Sequence, residues 1–371
     1  MTNTEVLFLE TDLEIPAFRV QPPTTPNYEK AEKQFISLLQ LEDLDNKILE
    51  QTDLITEFEE ALAYAIQAAY QPPLCEEAAH LFLMRILYRI NRLNLFWYDD
   101  LQNYKNERST YLRKIRDQIE EPWQAWELSQ IDVESIKKLD VKQALIERCE
   151  YDLNPPLTPD TRFMRERMSL TGYRHLLSIA SFDGLVEASR LSRIIGGAAN
   201  EVQATLTRVL FEEYGGGRLQ RKHSTFFAQM LAELGLHTEP EAYFNIVPAD
   251  IFASINHNFL LTERKRHFLR YNGGLTYFEI AGPAIYQNYL TAAQRLGLSQ
   301  AAMGYWELHI KEDERHGKWM LENVALPLAE MYPNDAWELV LGYDQEKLIG
   351  ERAGKAVVLS IQDAEMAASS T

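Results

Sequence analysis

The most constraining feature of this sequence is the repeated spacing of its apolar residues at i, i+3, i+4 and i+7 over long stretches. This spacing is typical of amphipathic α-helices, because side chains three and four positions apart share one helix face. Glycine and proline, which interrupt helices, account for only 17 and 15 of the 371 residues. Apart from a short alternating stretch at residues 5–9, no pattern predicts a β-strand. The sequence therefore predicts an all-α fold.

Breaker residues divide the predicted helices into regions. The run Pro22-Pro23-Thr24-Thr25-Pro26 closes what we expect to be an extended arm, residues 1–26, and Asn154-Pro155-Pro156 predicts a domain boundary. Before that boundary we expect helices at about 28–50, 54–70, 74–104, 107–130 and 134–150. After it we expect helices at about 159–181, 184–194, 197–214, 219–235, 248–258, 262–291, 298–331 and 334–345. The predicted regions are an N-terminal helical region, 27–155, a larger domain, 156–345, and a C-terminal tail, 346–371, whose last dozen residues should be disordered.

Composition excludes several classes of protein. The formal net charge of −18 argues against nucleic acid as a partner, because phosphate contacts need clustered Lys and Arg. No apolar run approaches the roughly 18 to 20 residues that span a bilayer, and residues 1–10 lack the pattern of a secretory signal. The two cysteines, Cys75 and Cys149, form no disulfide or thiolate-metal motif. We therefore expect a cytoplasmic protein that has no membrane partner.

The segment from His309 to His316 carries the sharpest chemical pattern in the chain. At about 100° per residue, positions 309, 313 and 316 fall within about 60° of one another on a helix. One helix face therefore presents two imidazoles and the Asp313 carboxylate, a mixture of donors that iron or manganese accepts. Flanking apolar residues such as Trp306 and Met320 predict a largely buried helix, in which unpaired His and Asp are costly. An ordinary charged surface helix is the competing interpretation. Five histidines lack a partner at ligand spacing: His80, His175, His237, His257 and His267.

Further acids stand in apolar surroundings elsewhere in the chain. Glu212 and Glu213 end an apolar helix, and a short glycine-rich turn separates them from His223, so that a glutamate and a histidine can meet. Glu187 and Glu279 each have apolar neighbours, where an unpaired carboxylate is costly to bury. For each acid alone, an ion pair or an exposed position is an equal alternative. The spacing does not decide whether Glu212 or Glu213 points inward.

Together these residues resemble the heme-oxygenase-like diiron oxidases and oxygenases. The closing His-x3-Asp-x2-His segment of that family is matched by residues 309–316, and the Glu-Glu-Tyr-Gly-Gly-Gly turn leading to His223 is also similar. Glu279 stands thirty residues before His309, and Glu213 stands ten before His223. The resemblance covers about residues 158–345. It implies a heme-oxygenase-like helical bundle, preceded here by an N-terminal helical extension.

The same resemblance implies two iron ions, dioxygen as co-substrate and no heme. The implied metal ligands are Glu187, Glu213, His223, Glu279, His309, Asp313 and His316. Their four carboxylates would balance the four positive charges of two ferrous ions, and three neutral imidazoles would complete the ligand shells. Because both upstream glutamates are present, the chain is more similar to N-oxygenases of the family than to its carbon–carbon cleaving members. Whether Glu187 or Glu213 is the additional ligand stays open.

The implied function is O2-dependent oxygenation or oxidation of a small metabolite, above all N-oxygenation of an amine or amino-acid-derived substrate, with an external electron donor. Oxidative carbon–carbon cleavage or desaturation of an amino acid or fatty acid is the alternative. A non-catalytic iron-binding or helical scaffold protein is the alternative from another class. We also expect the N-terminal helices to support the bundle or to form a homodimer interface.

Residues next to the implied ligands are candidates for a substrate pocket. By helical spacing these candidates are Arg190, Tyr277, Phe278, Tyr305 and Trp306. Plain core packing is the competing interpretation of the aromatic residues. Arg190 is expected either to anchor a substrate carboxylate or to pair with Glu187.

Overall fold

The computed structural model of the chain describes residues 25–71, 75–95, 100–196 and 200–370. Within these ranges the regular structure is helical throughout and contains no β-strand, so the predicted all-α, heme-oxygenase-like fold class is confirmed. Most of the predicted arm and the stretch at residues 5–9 lie outside the described residues. Within the described part of the chain, no helix combines the length and the apolar character that crossing a bilayer requires.

Several helices of the N-terminal region begin after polar caps. The Asn27 side chain accepts a hydrogen bond from the Lys30 amide at 2.9 Å, and Ser109 caps a later helix in the same way. The helix predicted at 28–50 is divided in two, because the chain turns at Asp43 with a φ of 54°. The helix predicted at 74–104 ends early, at Asn91. The helices are α1 Tyr28–Leu39, α2 Leu44–Glu50, α3 Thr56–Tyr70, α4 Glu77–Asn91, α5 Thr110–Leu128, α6 Val133–Ile136 and α7 Val141–Leu153.

The C-terminal region contains the longer helices. It opens with a capped helix, in which Thr158 and Thr161 form a reciprocal capping box around Pro159. A π-helical turn, Met320–Ala325, follows the helix of the His-x3-Asp-x2-His segment. The helices are α8 Pro159–Glu166, α9 Leu170–Gly184, α10 Glu201–Glu213, α11 His223–Glu233, α12 Ala249–Glu263, α13 Phe268–Arg295, α14 Gly304–Trp319, α15 Leu326–Met331 and α16 Trp337–Ser369.

The prediction of a helix at 184–194 is wrong. After α9 the chain forms turns, in which Ala188 adopts a left-handed conformation with a φ of 61°, followed by one short 3-10 segment, Arg190–Arg193. An alanine in this region of backbone space is strained, since its Cβ crowds the neighbouring carbonyl. The segment therefore bends sharply where the sequence pattern predicts a straight helix.

The prediction of a disordered C-terminal tail is also wrong. Helix α16 continues from Trp337 to Ser369, and its apolar face at Val357, Val358 and Ile361 is buried. Beyond that face, the carboxylate of Glu365 accepts a hydrogen bond from the backbone amide of Ser169 at 2.6 Å, which ties the last turns of α16 to the start of α9. The small residues at the end extend a helix that packing has already stabilised.

One hydrophobic core contains residues from both sides of the predicted boundary at 154–156. Tyr88 on α4 contacts Phe182 on α9, with ring centroids 4.6 Å apart, and Phe252 on α12 at 5.6 Å. Asn91 donates to Asn256 at 3.1 Å inside this contact. The N-terminal helices thus pack directly on the helices of the C-terminal region, and the domain division itself stays a prediction.

Helices α13 and α16 approach each other at two glycines. A Cβ atom at Gly273 would lie 1.9 Å from the backbone oxygen of Leu339, and one at Gly342 would lie 1.9 Å from the backbone oxygen of Arg270. No side chain fits either position, so the two helix backbones are in direct contact. This contact fixes the positions of the site residues that α13 and α16 carry.

Candidate metal centre

Helix α14 presents the predicted ligand face to the interior. His309, Asp313 and His316 are 4%, 2% and 0% exposed, so the spacing of the sequence correctly placed them on one buried face. The Nδ1 atom of His309 lies 3.1 Å from the backbone oxygen of Tyr305 one turn earlier. That carbonyl accepts the Nδ1 proton, which leaves Nε2 free to point into the interior.

Four side chains form a first group around His309. The Nδ1 atom of His223 lies 2.8 Å from Glu213 Oε2 and 3.1 Å from His309 Nε2, and Glu187 Oε2 lies 3.7 Å from His309 Nε2. One donor atom from each of the four residues falls within 4.8 Å of all the others. These are the distances at which a single cation can contact every member of the group.

A second group surrounds His316. Its Nδ1 atom lies 3.4 Å from Glu213 Oε1, 3.4 Å from Glu279 Oε2 and 4.0 Å from Asp313 Oδ1. Glu213 belongs to both groups and uses a different carboxylate oxygen in each. The structure therefore brings all seven predicted side chains together, as two adjacent groups that share one carboxylate.

A glycine turn joins Glu213 to His223. Glu213 is the last residue of α10 and His223 is the first of α11. Gly215, Gly216 and Gly217 all have positive φ values, which glycine adopts without strain. A Cβ at Gly215 would lie 2.4 Å from the backbone carbon of Arg221, so the turn is too tight for any other residue. The glycine run reverses the chain within a few residues, as the sequence predicted.

Glu187 reaches the first group from the turn after α9, whereas the sequence placed it on a helix. The Tyr305 hydroxyl donates to Glu187 Oε2, and Glu187 Oε1 is buried without a partner. The strained residue Ala188 directs the chain away immediately afterwards. Backbone strain of this kind persists where surrounding contacts hold it, and it is common at functional sites.

The structure also distinguishes Glu212 from Glu213, which the sequence left open. Glu213 is buried and faces the two groups, while Glu212 lies on the outer side of His316 with its Oε2 atom 3.1 Å from His316 Nε2. Glu212, Glu312 and His316 also lie close enough to contact one cation. In that third group, however, the guanidinium of Arg315 pairs with both carboxylates and already supplies the positive charge.

Burial of several carboxylates and imidazoles close together shifts the pKa values of the site residues. Burial and the neighbouring carboxylates raise the pKa of both Glu187 and Asp313 well above the usual range. Burial and the nearby His223 lower the pKa of His309 to about 4. Burial alone would lower the pKa of His316 as well. The surrounding carboxylates, Glu279 above all, outweigh burial and raise the pKa of His316 to about 9. Clustered carboxylates of this kind are stable only when a proton or a cation offsets their charge.

The chemistry of the donor set fits iron. Imidazole nitrogen and carboxylate oxygen together suit iron, and the described residues contribute no thiolate to either group. Three donor atoms of the proposed ligands, Glu187 Oε1, Asp313 Oδ2 and His316 Nδ1, are buried and have no hydrogen-bond partner. Buried polar atoms without partners are costly, and metal ligation would satisfy all three.

A cavity of about 120 Å³ lies beside the two groups. Five of the seven predicted ligands line what we call its metal end. Five further lining residues join neither group, and we call the part of the wall that they form its polar end: Asp183, Arg190, Ser254, Asn258 and Glu346. The cavity therefore joins the cluster of metal-binding side chains to a second set of charged and hydrogen-bonding groups.

Of the aromatic residues predicted for the pocket, two line this cavity and two do not. Phe278, which is 45% exposed, and Tyr305 belong to its wall. Tyr277 faces away and packs on Tyr343, with ring centroids 5.3 Å apart. Trp306 is buried in the core, where its Nε1 atom donates to the Tyr173 hydroxyl at 2.8 Å. For Tyr277 and Trp306 the competing interpretation, core packing, is therefore correct.

Arg190 lines the cavity but does not pair with Glu187. Its Nη2 atom donates to Asp183 Oδ1 at 2.7 Å, and its Nε and Nη1 atoms are buried without a partner. The guanidinium also lies over the ring of Phe259, 5.6 Å from the centroid. Arg190 thus keeps donors available at the polar end of the cavity.

Sequence reasoning missed Glu346. This carboxylate is 6% exposed, accepts a hydrogen bond from Asn258 at 3.3 Å and lies 3.9 Å from His257 Nε2. Burial raises its pKa to about 7. The available signal was helical spacing, because Leu339 and Gly342 precede Glu346 at i−7 and i−4 and define the buried face of α16.

Comparison with known proteins agrees with this site. Residues 174–345 match the model of a protein family described as iron-containing redox enzymes. Over 170 residues, the chain is 26% identical to nitrosourea synthase of Streptomyces achromogenes subsp. streptozoticus. That alignment covers 46% of this chain and 36% of the relative, so the match spans little more than a third of the relative's length. All seven side chains of the two groups lie within residues 174–345.

Proposed function

We propose that this chain, whose residues 174–345 match the model of the iron-containing redox enzymes, is an oxidoreductase of that kind: a non-heme diiron, O2-dependent N-oxygenase of an amine or amino-acid-derived metabolite. The observation that carries the proposal is the pair of ligand groups joined by Glu213. A carboxylate shared in this way holds two metal ions side by side. Four carboxylates offset the four charges of two ferrous ions. Bound iron would supply the electrons and the binding position for dioxygen.

The reaction needs more electrons than the substrate provides. Conversion of an amine N–H to N–OH takes one oxygen atom from dioxygen, and the second atom leaves as water after the uptake of two electrons and two protons. Two ferrous ions that each lose one electron account for a single turnover. We therefore include an external electron donor, which restores the ferrous state between turnovers.

The protein's own residues would prepare the site. The Tyr305 hydroxyl holds Glu187, and the backbone oxygen of Tyr305 sets the ring of His309. Both partners fix the direction of a donor atom before any metal binds, which is how outer contacts support metal ligands. Because five of the proposed ligands line the cavity, a substrate bound in it would lie beside the two ligand groups.

The polar end of the cavity favours a substrate with a positive charge. Asp183 and Arg190 neutralise each other, whereas Glu346 has no Lys or Arg within 4.0 Å among the described residues. When iron balances the ligand carboxylates, ionised Glu346 is the one carboxylate among the described cavity-lining residues that has neither a metal nor a Lys or Arg partner within 4.0 Å. An ammonium or guanidinium group offsets that charge. A fatty acid does not, and its alkyl chain would cover these polar groups without satisfying them.

Arg190 is also compatible with the alternative reaction, oxidative carbon–carbon cleavage. Its unused Nε and Nη1 donors fit a carboxylate, which amino acids carry and simple amines lack. Oxidative carbon–carbon cleavage of an amino acid would use the same contact. Analysis of the product distinguishes the two reactions, because N-oxygenation retains the carbon skeleton and cleavage shortens it.

The proposal is tested by anaerobic loading with ferrous iron, metal analysis and rapid mixing with oxygenated buffer, with and without a panel of amines and amino acids. We expect about two irons per chain and a transient visible absorption whose decay one compound accelerates. Mass spectrometry should then find that compound one oxygen atom heavier. Bound iron whose oxidation no compound affects would instead indicate a non-catalytic iron-binding protein, and absence of bound iron would refute the proposal.

A further inference from the structure

Glu212 lies on the side of His316 that faces away from the two ligand groups. Its Oε2 atom is 3.1 Å from His316 Nε2 and 2.6 Å from Arg315 Nη2. Its Oε1 atom is 3.5 Å from Nε of Arg208, one helical turn earlier on α10. The carboxylate is thus held by two arginines while it contacts a ring that is completely buried.

This contact determines which nitrogen of His316 faces the site. An ionised carboxylate only accepts hydrogen bonds, so Nε2 must carry the proton and donate it to Glu212. When the ring is neutral, as a metal-bound histidine must be, the opposite atom, Nδ1, presents its lone pair toward Glu213 and Glu279, each 3.4 Å away. Metal binding needs this unprotonated nitrogen. A carboxylate behind the ring also makes the imidazole a stronger donor.

The other α14 histidine is held differently. His309 is oriented by the backbone oxygen of Tyr305, a contact within its own helix. His316 depends on a side chain from another element, α10, which also carries the shared ligand Glu213. Adjacent residues of α10 therefore act on the site from opposite sides, one inside the ligand groups and one behind the imidazole.

We infer that Glu212 is a positioning residue for the metal centre: it fixes the orientation and proton distribution of His316 so that Nδ1 binds iron. This inference rests on the proposed function. It assigns Glu212 no contact with metal, substrate or dioxygen. Its removal should weaken binding at the position that includes His316 by roughly tenfold to a hundredfold, as for other outer partners of metal-bound histidines.

Glu312 provides a matched control. It pairs with the same arginine, Arg315, and its side chain is about as exposed as that of Glu212, 20% against 24%. Among the described contacts, Glu212 accepts a hydrogen bond from His316 Nε2, and Glu312 makes no hydrogen bond with His316. Glu312→Ala therefore removes an equivalent surface ion pair and leaves the imidazole contact intact.

The experiment is an anaerobic titration of the full chain with Co²⁺, followed by visible absorption, for the unaltered protein, Glu212→Ala, Glu212→Gln and Glu312→Ala. We expect Glu212→Ala to weaken the binding of one ion and to shift its absorption bands. Glu212→Gln should recover much of the affinity, because its amide oxygen still accepts the Nε2 proton. Glu312→Ala should match the unaltered protein, and all four metal-free proteins should show similar melting temperatures.

The outcomes separate this inference from the proposed function. Equal cobalt affinity and spectra in Glu212→Ala and the unaltered protein would overturn the positioning role and leave the diiron proposal standing. Equal losses in Glu212→Ala and Glu312→Ala would also overturn it, because Arg315 would then be the common cause. Weakened binding in Glu212→Ala alone, without any reaction of iron-loaded protein with dioxygen, would support the inference and refute the oxygenase. An unaltered protein that binds no metal would refute both.

Discussion

Replacement of Gly282 by alanine should displace a metal ligand without unfolding the protein. Gly282 lies on α13, one turn after Glu279, and a Cβ atom there would stand 2.7 Å from Asp313 Oδ2. Ordinary contact begins at 3.4 Å, so the carboxylate must retreat by at least about 0.7 Å. Metal–ligand distances tolerate only about 0.2 Å of error. Asp313 therefore cannot occupy its present position and remain a ligand.

The expected loss concerns metal affinity rather than folding. A ligand displaced by most of an ångström should weaken binding roughly tenfold to a hundredfold, which corresponds to about 1.4 to 2.7 kcal/mol. The atom that meets the new methyl group is the end of a side chain, which can rotate away. Alanine within a helix is also more favourable than glycine by about 0.5 to 1 kcal/mol, so the metal-free variant should melt no lower than the unaltered protein.

Gly354→Ala serves as the control for this substitution. Gly354 is exposed within α16, and a Cβ atom there meets no atom within 4 Å. This variant should gain helix propensity and bind metal normally. The assay is equilibrium dialysis against ferrous iron under nitrogen, followed by metal analysis, together with thermal unfolding monitored by circular dichroism. If Gly282→Ala binds as much iron as Gly354→Ala and with equal affinity, Asp313 is not a ligand in the proposed arrangement.

Other substitutions test other parts of the site. His316→Ala should lose most of its iron while helix content by circular dichroism stays the same, because the ring is completely buried among the proposed ligands; unchanged iron content would contradict the ligand assignment. His257→Ala should keep its iron but melt at a lower temperature, because it removes a completely buried ring outside both groups; loss of iron would show that the wrong histidines were chosen. In the unaltered protein the free energy of unfolding should fall between about pH 4.5 and 7, because the folded chain, with the pKa of Glu346 near 7, retains a proton that the unfolded chain releases. Glu346→Gln cannot titrate, so its free energy of unfolding, measured with urea, should fall less over this pH range. Parallel pH profiles of the two proteins would contradict this expectation. Arg190→Met should raise KM for a carboxylate-bearing amine and leave iron content unchanged, whereas an unchanged KM would exclude Arg190 as the anchor.

The sequence predicted the α14 part of the site because one helix determines it. His309, Asp313 and His316 share a face through the helical period alone, whatever the rest of the chain does. The meeting of Glu213 with His223 was also accessible, because a glycine turn limits how far apart its two ends can lie. In both cases the constraint is local, and local geometry follows from short stretches of sequence.

Other residues depend on contacts that spacing does not encode. Glu212 and Glu213 are neighbours, and which of them faces inward follows from how α10 is rotated against α14. The same ambiguity affects Tyr277 and Phe278, where packing against Tyr343 decides that Tyr277 faces the core. Helix rotation is set by the whole packing arrangement, so a one-residue difference in direction cannot be read from the pattern.

Two misplacements had definite physical causes. Glu187 was assigned to a helix because its neighbours have helical spacing, but the strained turn at Ala188 ends that spacing. The prediction still associated Glu187 with the site, since the apolar neighbourhood indicated burial. Glu346 was missed because the small residues at the end of α16 suggested a tail, and the buried face that begins at Leu339 was followed no further.

The glycine contact between α13 and α16 has a consequence for which molecules the cavity accepts. Glu346 on α16 lies over Gly274 of α13, with its Oε2 atom 3.2 Å from where a Cβ would stand, and Glu279 follows five residues later on the same helix. Five residues advance about 7.5 Å along the axis. Because the two backbones are in contact at Gly273 and Gly342, neither helix can slide to shorten this interval. Under the proposed function we expect this fixed interval to select substrates by length: in a homologous series of diamines that differ by one methylene, turnover should peak at one chain length and fall on either side of it.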